Sequence, residues 1–184
     1  MKKILLIAIP LLLLTACSFT SNSNITEEFL ESVPYPNSTE ILDKQQKDDY
    51  EVVFYKDESG FRIGYKKLDY KYWTNTANGE INPDDGFDWV MINDPKVPIT
   101  LFGGIITNKQ ITTVLVKQKT IEKEATIVET NEGFRGWFVK FDSLENAISG
   151  EPDPLKIEAY DTNGTILWKD GVYEDGYFSG EISN

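Results

Sequence analysis

The chain has no histidine, a single cysteine and fewer basic than acidic residues, 18 against 30. Without histidine, the commonest general base and the commonest transition-metal ligand are missing. No Ser-His-Asp or Cys-His site can be assembled, and a catalytic zinc site of the usual kind has no ligands to draw on. Cys17 has no intramolecular disulfide partner. A formal charge of −12 argues against nucleic acid as a partner, because phosphate contacts need a basic surface. The chemistry left is that of carboxylates, Ser-Lys pairs, tyrosine, or hard-cation binding by Asp and Glu. No catalytic residue, metal site or cofactor is expected on this basis, and the chain is read as a non-enzyme.

What is present is concentrated first at the N-terminus. Lys2 and Lys3 precede an apolar run from Ile4 to Leu14. The run is shorter than the roughly 20 residues a membrane-spanning helix needs and fits the apolar region of a secretory signal. It ends in Leu14-Thr15-Ala16-Cys17, which resembles the lipobox of bacterial lipoproteins. That resemblance implies cleavage between Ala16 and Cys17 and a diacylglycerol-type lipid, with palmitate as an expected acyl chain, on the Cys17 thiol. Two acyl chains on one residue suffice for stable anchoring where one does not. The implied location is the extracytoplasmic face of the cell membrane. A buried core helix fits less well, since it would not open on Lys-Lys and close in a Ser/Asn tract.

The rest divides into a tether and folded regions. Residues 1–16 read as signal peptide. Residues 17–24 read as lipidated cysteine plus a flexible linker, whose Ser18 to Asn24 segment extends at most about 25 Å. Residues 25–95 read as a helical start followed by antiparallel strands, and residues 96–184 as a β-sandwich-like region, the two forming one domain or two halves meeting near Asp94-Pro95-Lys96-Val97-Pro98. The fold class is mainly β with a short N-terminal helix (α+β).

In detail, a helix is expected near Asn24 to Leu30, stopped by Val33-Pro34-Tyr35-Pro36, and a second from Ser38 to Lys47. Strands are expected at Tyr50–Tyr55 and Phe61–Lys66, joined by the turn Asp57-Glu58-Ser59-Gly60, then at Leu68–Thr74 and Phe87–Ile92. Further strands are expected at 99–107, 111–118, 125–130, 134–142, 155–160 and 165–169. The last stretch, from Gly171, is expected to add an edge strand at Val172-Tyr173 and then to fray as an acidic tail.

Two constellations suggest binding. Acidic turns (Asp84, Asp85 and Asp88; Asp161 with Asn163; Asp170 with Glu174 and Asp175) offer oxygens to Ca²⁺, but none follows the EF-hand spacing, and Asp, Asn and Gly are ordinary turn residues. The aromatic group Tyr70, Tyr72, Trp73, Trp89 and Trp137 suits either stacking on a ligand or core packing. Trp137 reads as core. Tyr70, Tyr72 and Trp73 are the candidate ligand-binding residues, Trp73 above all because alternation places it with Asp69 and Lys71. The acidic residues supply no spacing that marks a glycosidase-like pair.

Val33-Pro34-Tyr35-Pro36, Phe54-Tyr55, Gly60 to Tyr65, Gly136-Trp137-Phe138 and Ala159 to Gly164 together resemble the small uncharacterised lipoproteins of Bacillus-type Gram-positive bacteria. The resemblance implies an envelope location and no defined activity. The expected function is a membrane-anchored binding module whose partners are the membrane, through the lipid on Cys17, and an envelope protein. The alternatives are a small-ligand or Ca²⁺-binding accessory to a transporter or sensor, and a carboxylate-dependent hydrolase.

Overall fold

The computed structural model describes residues 23–76, 86–93, 99–129, 135–146, 149–151 and 153–182. The expected signal peptide, Cys17, most of the expected tether, the acidic pair Asp84-Asp85 and the segment 94–98 lie outside the described residues.

Among the described residues one helix, Ser23–Ser32 (α1), precedes a chain of antiparallel strands. The first sheet has the order β1-β2-β3-β4: Glu40–Lys47, Tyr50–Asp57, Gly60–Lys67 and Thr74–Asn75. The second comprises Val90–Ile92 (β5), Thr100–Ile105 (β6), Arg135–Phe141 (β10) and Thr126–Glu129 (β9), in the order β5-β6-β10-β9. The third comprises Gly176–Glu181 (β13), Ile166–Tyr173 (β12), Lys156–Tyr160 (β11), Thr113–Lys117 (β7) and Glu122–Glu124 (β8), in the order β13-β12-β11-β7-β8. The expected class, mostly β with antiparallel pairing and a short N-terminal helix, is what the chain adopts.

Alternation along the strands builds a layered stack. On the first sheet Val52, Phe54, Ile63 and Tyr65 face inward and meet Leu101 and Phe138 of the second sheet. The neighbouring positions Phe102, Trp137, Val139 and Phe141 point the other way, against Val114, Val116, Ile157, Ala159 and Trp168 of the third. The second sheet is therefore covered on both faces, which is why β6 and β10 read as nearly unbroken apolar runs rather than alternating ones. Phe29 of α1 and Val33 just after it close the outer face of the first sheet, packed on Val53, Tyr55 and Trp73. The chain passes between the second and third sheets at Ala125, whose N–H bonds the Val114 carbonyl between β8 and β9.

Glycine sets the spacing of the first two sheets. A Cβ on Gly103 would lie 2.5 Å from Ile63 Cδ1 and 2.6 Å from the Trp137 carbonyl oxygen, and one on Gly136 would lie 2.8 Å from the Phe54 ring. Gly103→Ala is expected to cost about 2 kcal/mol, as overpacking of a filled core does. The urea unfolding midpoint measures it, and an unchanged midpoint would show that the sheets separate freely.

Four expectations need correction. The segment expected as a helix over Ser38–Lys47 is strand β1 from Glu40. Its apolar content, Ile41 and Leu42, is too thin for a helical face, whereas pairing with β2 in register from Glu40↔Lys56 to Lys47↔Tyr50 satisfies its backbone. The strand expected over Leu68–Thr74 is mostly turn, and only Thr74–Asn75 pairs, with Tyr65 and Gly64. The strand expected over Phe87–Ile92 shortens to β5, with Phe87 bridging Ile106 alone. The C-terminal stretch does not fray over its described part: β12 runs through Tyr173, turns at Glu174-Asp175, and returns as β13, which pairs from Tyr173↔Gly176 to Trp168↔Glu181.

Candidate functional site

The three aromatic candidates do not form one surface. Tyr72 is exposed, and its ring meets Tyr70 edge-on at 6.0 Å. Lys67 lies 5.6 Å from the Tyr70 ring centre. Trp73, expected on the polar face of a strand, is instead 6% exposed and turned inward. Its ring meets Phe29 at 5.0 Å. The reason is local: without the 68–74 strand no alternation holds, and the turn delivers Trp73 into the gap between α1 and β2. Trp137 is fully buried, as expected, and its Nε1 donates to the Asp88 carbonyl at 3.1 Å.

The acidic turns are largely occupied with their own backbone. Asp161 accepts from the N–H groups of Asn163 and Thr165, each at 2.8 Å. The bond from the Thr165 N–H, with those from Asn163, outweighs desolvation and holds its carboxyl below its ordinary value. Asp170 accepts from Tyr177. Among the described residues no group of three or more acids, cysteines or histidines is placed to hold a metal ion.

A cluster that the sequence did not single out lies on the outer face of the third sheet. Lys156, Glu158 and Tyr160 alternate onto that face of β11, beside Lys117 of β7 and Tyr173 of β12. Glu158 is only 6% exposed, yet it sits away from the apolar core. Lys117 Nζ lies 2.8 Å from Glu158 Oε2 and donates to the Tyr160 hydroxyl at 2.9 Å. The Tyr160 hydroxyl donates to Glu158 Oε2, and the Tyr173 hydroxyl donates to Oε1 at 3.1 Å. Rings and ammoniums continue outward: Lys156 and Lys169 lie 4.5 and 4.0 Å from the Tyr173 ring centre, and Lys169 lies 4.9 Å from that of Phe178.

The electrostatics fix each group in its ordinary charge state. Burial would raise the Glu158 pKa, but hydrogen bonds from Lys117, Tyr160 and Tyr173 and the Lys117 charge outweigh it and lower it. Burial would lower the Lys117 pKa, and its bonds to Glu158 and Tyr160 overcome that and raise it. Burial and the Glu158 charge together push the Tyr173 hydroxyl up. The only sequence signal for this cluster was the period-two spacing of Lys156, Glu158 and Tyr160. An acid placed between Ile157 and Ala159 looks like any solvent-facing position until its neighbouring strands are known.

No helix of the described residues is long and apolar enough to cross a membrane. No family model, curated protein or solved structure matches this chain.

Proposed function

We propose that the protein is a lipid-anchored, extracytoplasmic binding module of the bacterial envelope, without enzymatic activity, that contacts an envelope protein through the outer face of the third sheet. In this reading the C-terminal half is a sandwich of the second and third sheets, held to the membrane through Cys17. The observation that carries it is the Lys117–Glu158–Tyr160–Tyr173 array. It is an ordered network of polar and aromatic groups on the face of the third sheet opposite the apolar core. Tyrosine and phenylalanine rings such as those of Tyr173 and Phe178 are enriched in the cores of interfaces, and lysines such as Lys156 and Lys169 suit their polar rim. The pKa directions support the non-enzymatic part. A general acid or base works best with a pKa near the operating pH, and here the carboxylate is lowered while the lysine and tyrosines are raised.

The anchor has a direct test. Because Cys17 is the only cysteine, labelled palmitate fed to the producing cell is expected to mark the wild-type protein and not Cys17→Ser, which is expected to leave the membrane fraction. Equal labelling of both would refute lipidation at Cys17. For the partner, the chain from Ser18 onward, which contains every described residue, is immobilised and cross-linked to envelope extract of its host. One membrane or wall protein is expected to be enriched over a control of unrelated acidic protein. A Lys169→Glu/Phe178→Ala variant is expected to retain about a tenth of it or less, a loss of about 1.4 kcal/mol or more. No enrichment, or equal capture by the variant, would refute this contact surface.

A small-ligand reading draws on a separate observation, a cleft walled by Trp89, Trp168 and Glu181.

A further inference from the structure

The cleft holds about 370 Å³ and lies where the segment entering β5 faces β12 and β13, with Phe87, Asp88, Trp89, Trp168 and Glu181 among its walls. Strand register builds one wall. Glu181 is directly opposite Trp168, which puts the two side chains on one face, their Cβ atoms about 5 Å apart. That face is the one Trp168 turns toward the second sheet. Lys169 points the other way, onto the rings of Tyr173 and Phe178. The second wall is fixed by its own bonds. Phe87 bridges Ile106, the Asp88 carbonyl accepts from Trp137 Nε1 at 3.1 Å, and the Trp89 N–H donates to Asp88 Oδ1 at 2.6 Å. The Phe87 ring meets that of Trp168 at 4.6 Å and joins the two walls.

The chemistry of the walls is one-sided. They offer aromatic side chains and the acids Asp88 and Glu181, and among the described residues no lysine or arginine borders the space. Glu181 is exposed, and no cation of the cleft neutralises it. A neutral occupant would take that carboxylate out of water and leave it unpaired, which is costly. A cation supplies the pair. Its attraction to an aromatic ring is strongest for tryptophan, and two tryptophans border the cleft. The volume suits a small guest. Small-molecule sites begin at about 300 Å³, and a water molecule's share of liquid volume is about 30 Å³, so the cleft takes a dozen or so waters or one compact organic molecule.

We infer that this cleft binds a small organic cation, an alkylammonium whose charge is paired by Glu181 and whose carbons lie against Trp89 and Trp168. The site is on the opposite face of the third sheet from the Glu158 array, and neither reading depends on the other. It moves ligand contact from Tyr70, Tyr72 and Trp73 to Trp89, an aromatic of the same sequence group, and to Trp168. Trp89 is half-buried, which leaves it packed on the core and still open to a guest.

The test reads tryptophan fluorescence of the chain from Ser18 onward. Tetramethylammonium chloride and butylammonium chloride are titrated separately, with sodium chloride at matched ionic strength as one control and tert-butanol, a neutral molecule of similar shape to tetramethylammonium, as the other. The expected result is a saturable change with a millimolar midpoint for at least one of the two cations, weakened about fivefold or more by Glu181→Gln. No saturable change up to about 100 mM of either cation, an equal change with sodium chloride, or an unchanged midpoint in Glu181→Gln would overturn the inference. So would an equal midpoint for tert-butanol, since the cleft would then select apolar shape and not charge. Trp89→Leu is expected to weaken the same cation further. Glu181→Gln changes an exposed side chain on an edge strand, so it tests the site even if Trp89→Leu loosens the core.

Discussion

Arg62→Ala is expected to destabilise the protein by about 3–5 kcal/mol, the range for removing one partner of a buried ion pair. Arg62 Nε lies 2.9 Å from Asp57 Oδ2, and the Asp57 side chain has no exposed surface. The guanidinium also donates to the Thr76 carbonyl at 2.9 Å and to Ser59 Oγ at 2.8 Å. One side chain thus ties together the β2–β3 turn and the strand ending at Asn75. Removing it leaves a desolvated carboxylate with only the Ser59 N–H and hydroxyl as donors. Arg62→Lys is expected to recover less than half of the loss, because a single ammonium cannot reach three acceptors arranged for a planar fork. Urea unfolding at neutral pH measures both. If the alanine variant loses less than about 1 kcal/mol, water must reach Asp57 in solution and the pair behaves like a surface one. Asp57→Asn separates charge from hydrogen bonding. It keeps an acceptor for Ser59 but leaves the guanidinium unneutralised, so it is expected to fall between the wild type and Arg62→Ala.

This network shows why parts of the fold were legible in the sequence. Asp57-Glu58-Ser59-Gly60 followed by Phe61, Ile63 and Tyr65 on alternate positions is a hairpin written in local residues, and the register Asp57↔Gly60 to Tyr50↔Lys67 follows it. Where strands form only because a neighbour pairs with them, the local pattern fails. β1 is built from EILDKQQK, residues with good helix propensity, and becomes a strand by pairing with Tyr50–Lys56 across the turn at Asp48-Asp49. Asp48 takes a positive φ of 54° there. An Asp-Asp turn is a weaker hairpin signal than Asn-Gly, so nothing local announced it. β13 was hidden for a similar reason, its exposed, glycine-containing sequence resembling a tail until β12 is placed beside it. The stacking of three sheets depends on which face of β6 and β10 meets which neighbour, and two runs that are apolar on both faces do not specify that. The same limit hid the Glu158 cluster: Lys117, Glu158 and Tyr173 come from three separate strands, and only the sheet order joins them.

Glu158→Ala is expected to cost about 3 kcal/mol, at the low end for a buried pair because Lys117 keeps some solvent contact. The substitution leaves the Lys117 ammonium and the Tyr160 and Tyr173 hydroxyls without their shared acceptor. Lys117→Met/Glu158→Leu, which removes both charges and keeps the volume, is expected to lie within about 1 kcal/mol of the wild type. The contrast between the two variants distinguishes an array retained for stability from one retained for binding: a stable double variant that no longer captures the partner would place the array's value in recognition. The pH dependence has a defined sign. Glu158 is lowered from its ordinary 4.5 in the folded protein, so its contribution is complete above about 4.5 and is lost as pH falls through the lower folded value. Lys117 is raised from 10.5, so its contribution is complete below about 10.5 and is lost as pH rises through the folded value. Tyr160 and Tyr173, both raised from 10.0 chiefly by burial, lose stability on the alkaline side in both proteins, so the alkaline change in the comparison comes mainly from Lys117. The stability difference between the wild type and the double variant is therefore expected to be flat between about pH 5 and 10 and to shift in favour of the double variant at both extremes. Urea midpoints at pH 3, 7 and 11 give the comparison. A difference that does not move with pH would mean that Glu158 and Lys117 are as well solvated in the folded chain as in the unfolded one, and the array would then be a surface contact with no hold on the tyrosine rings.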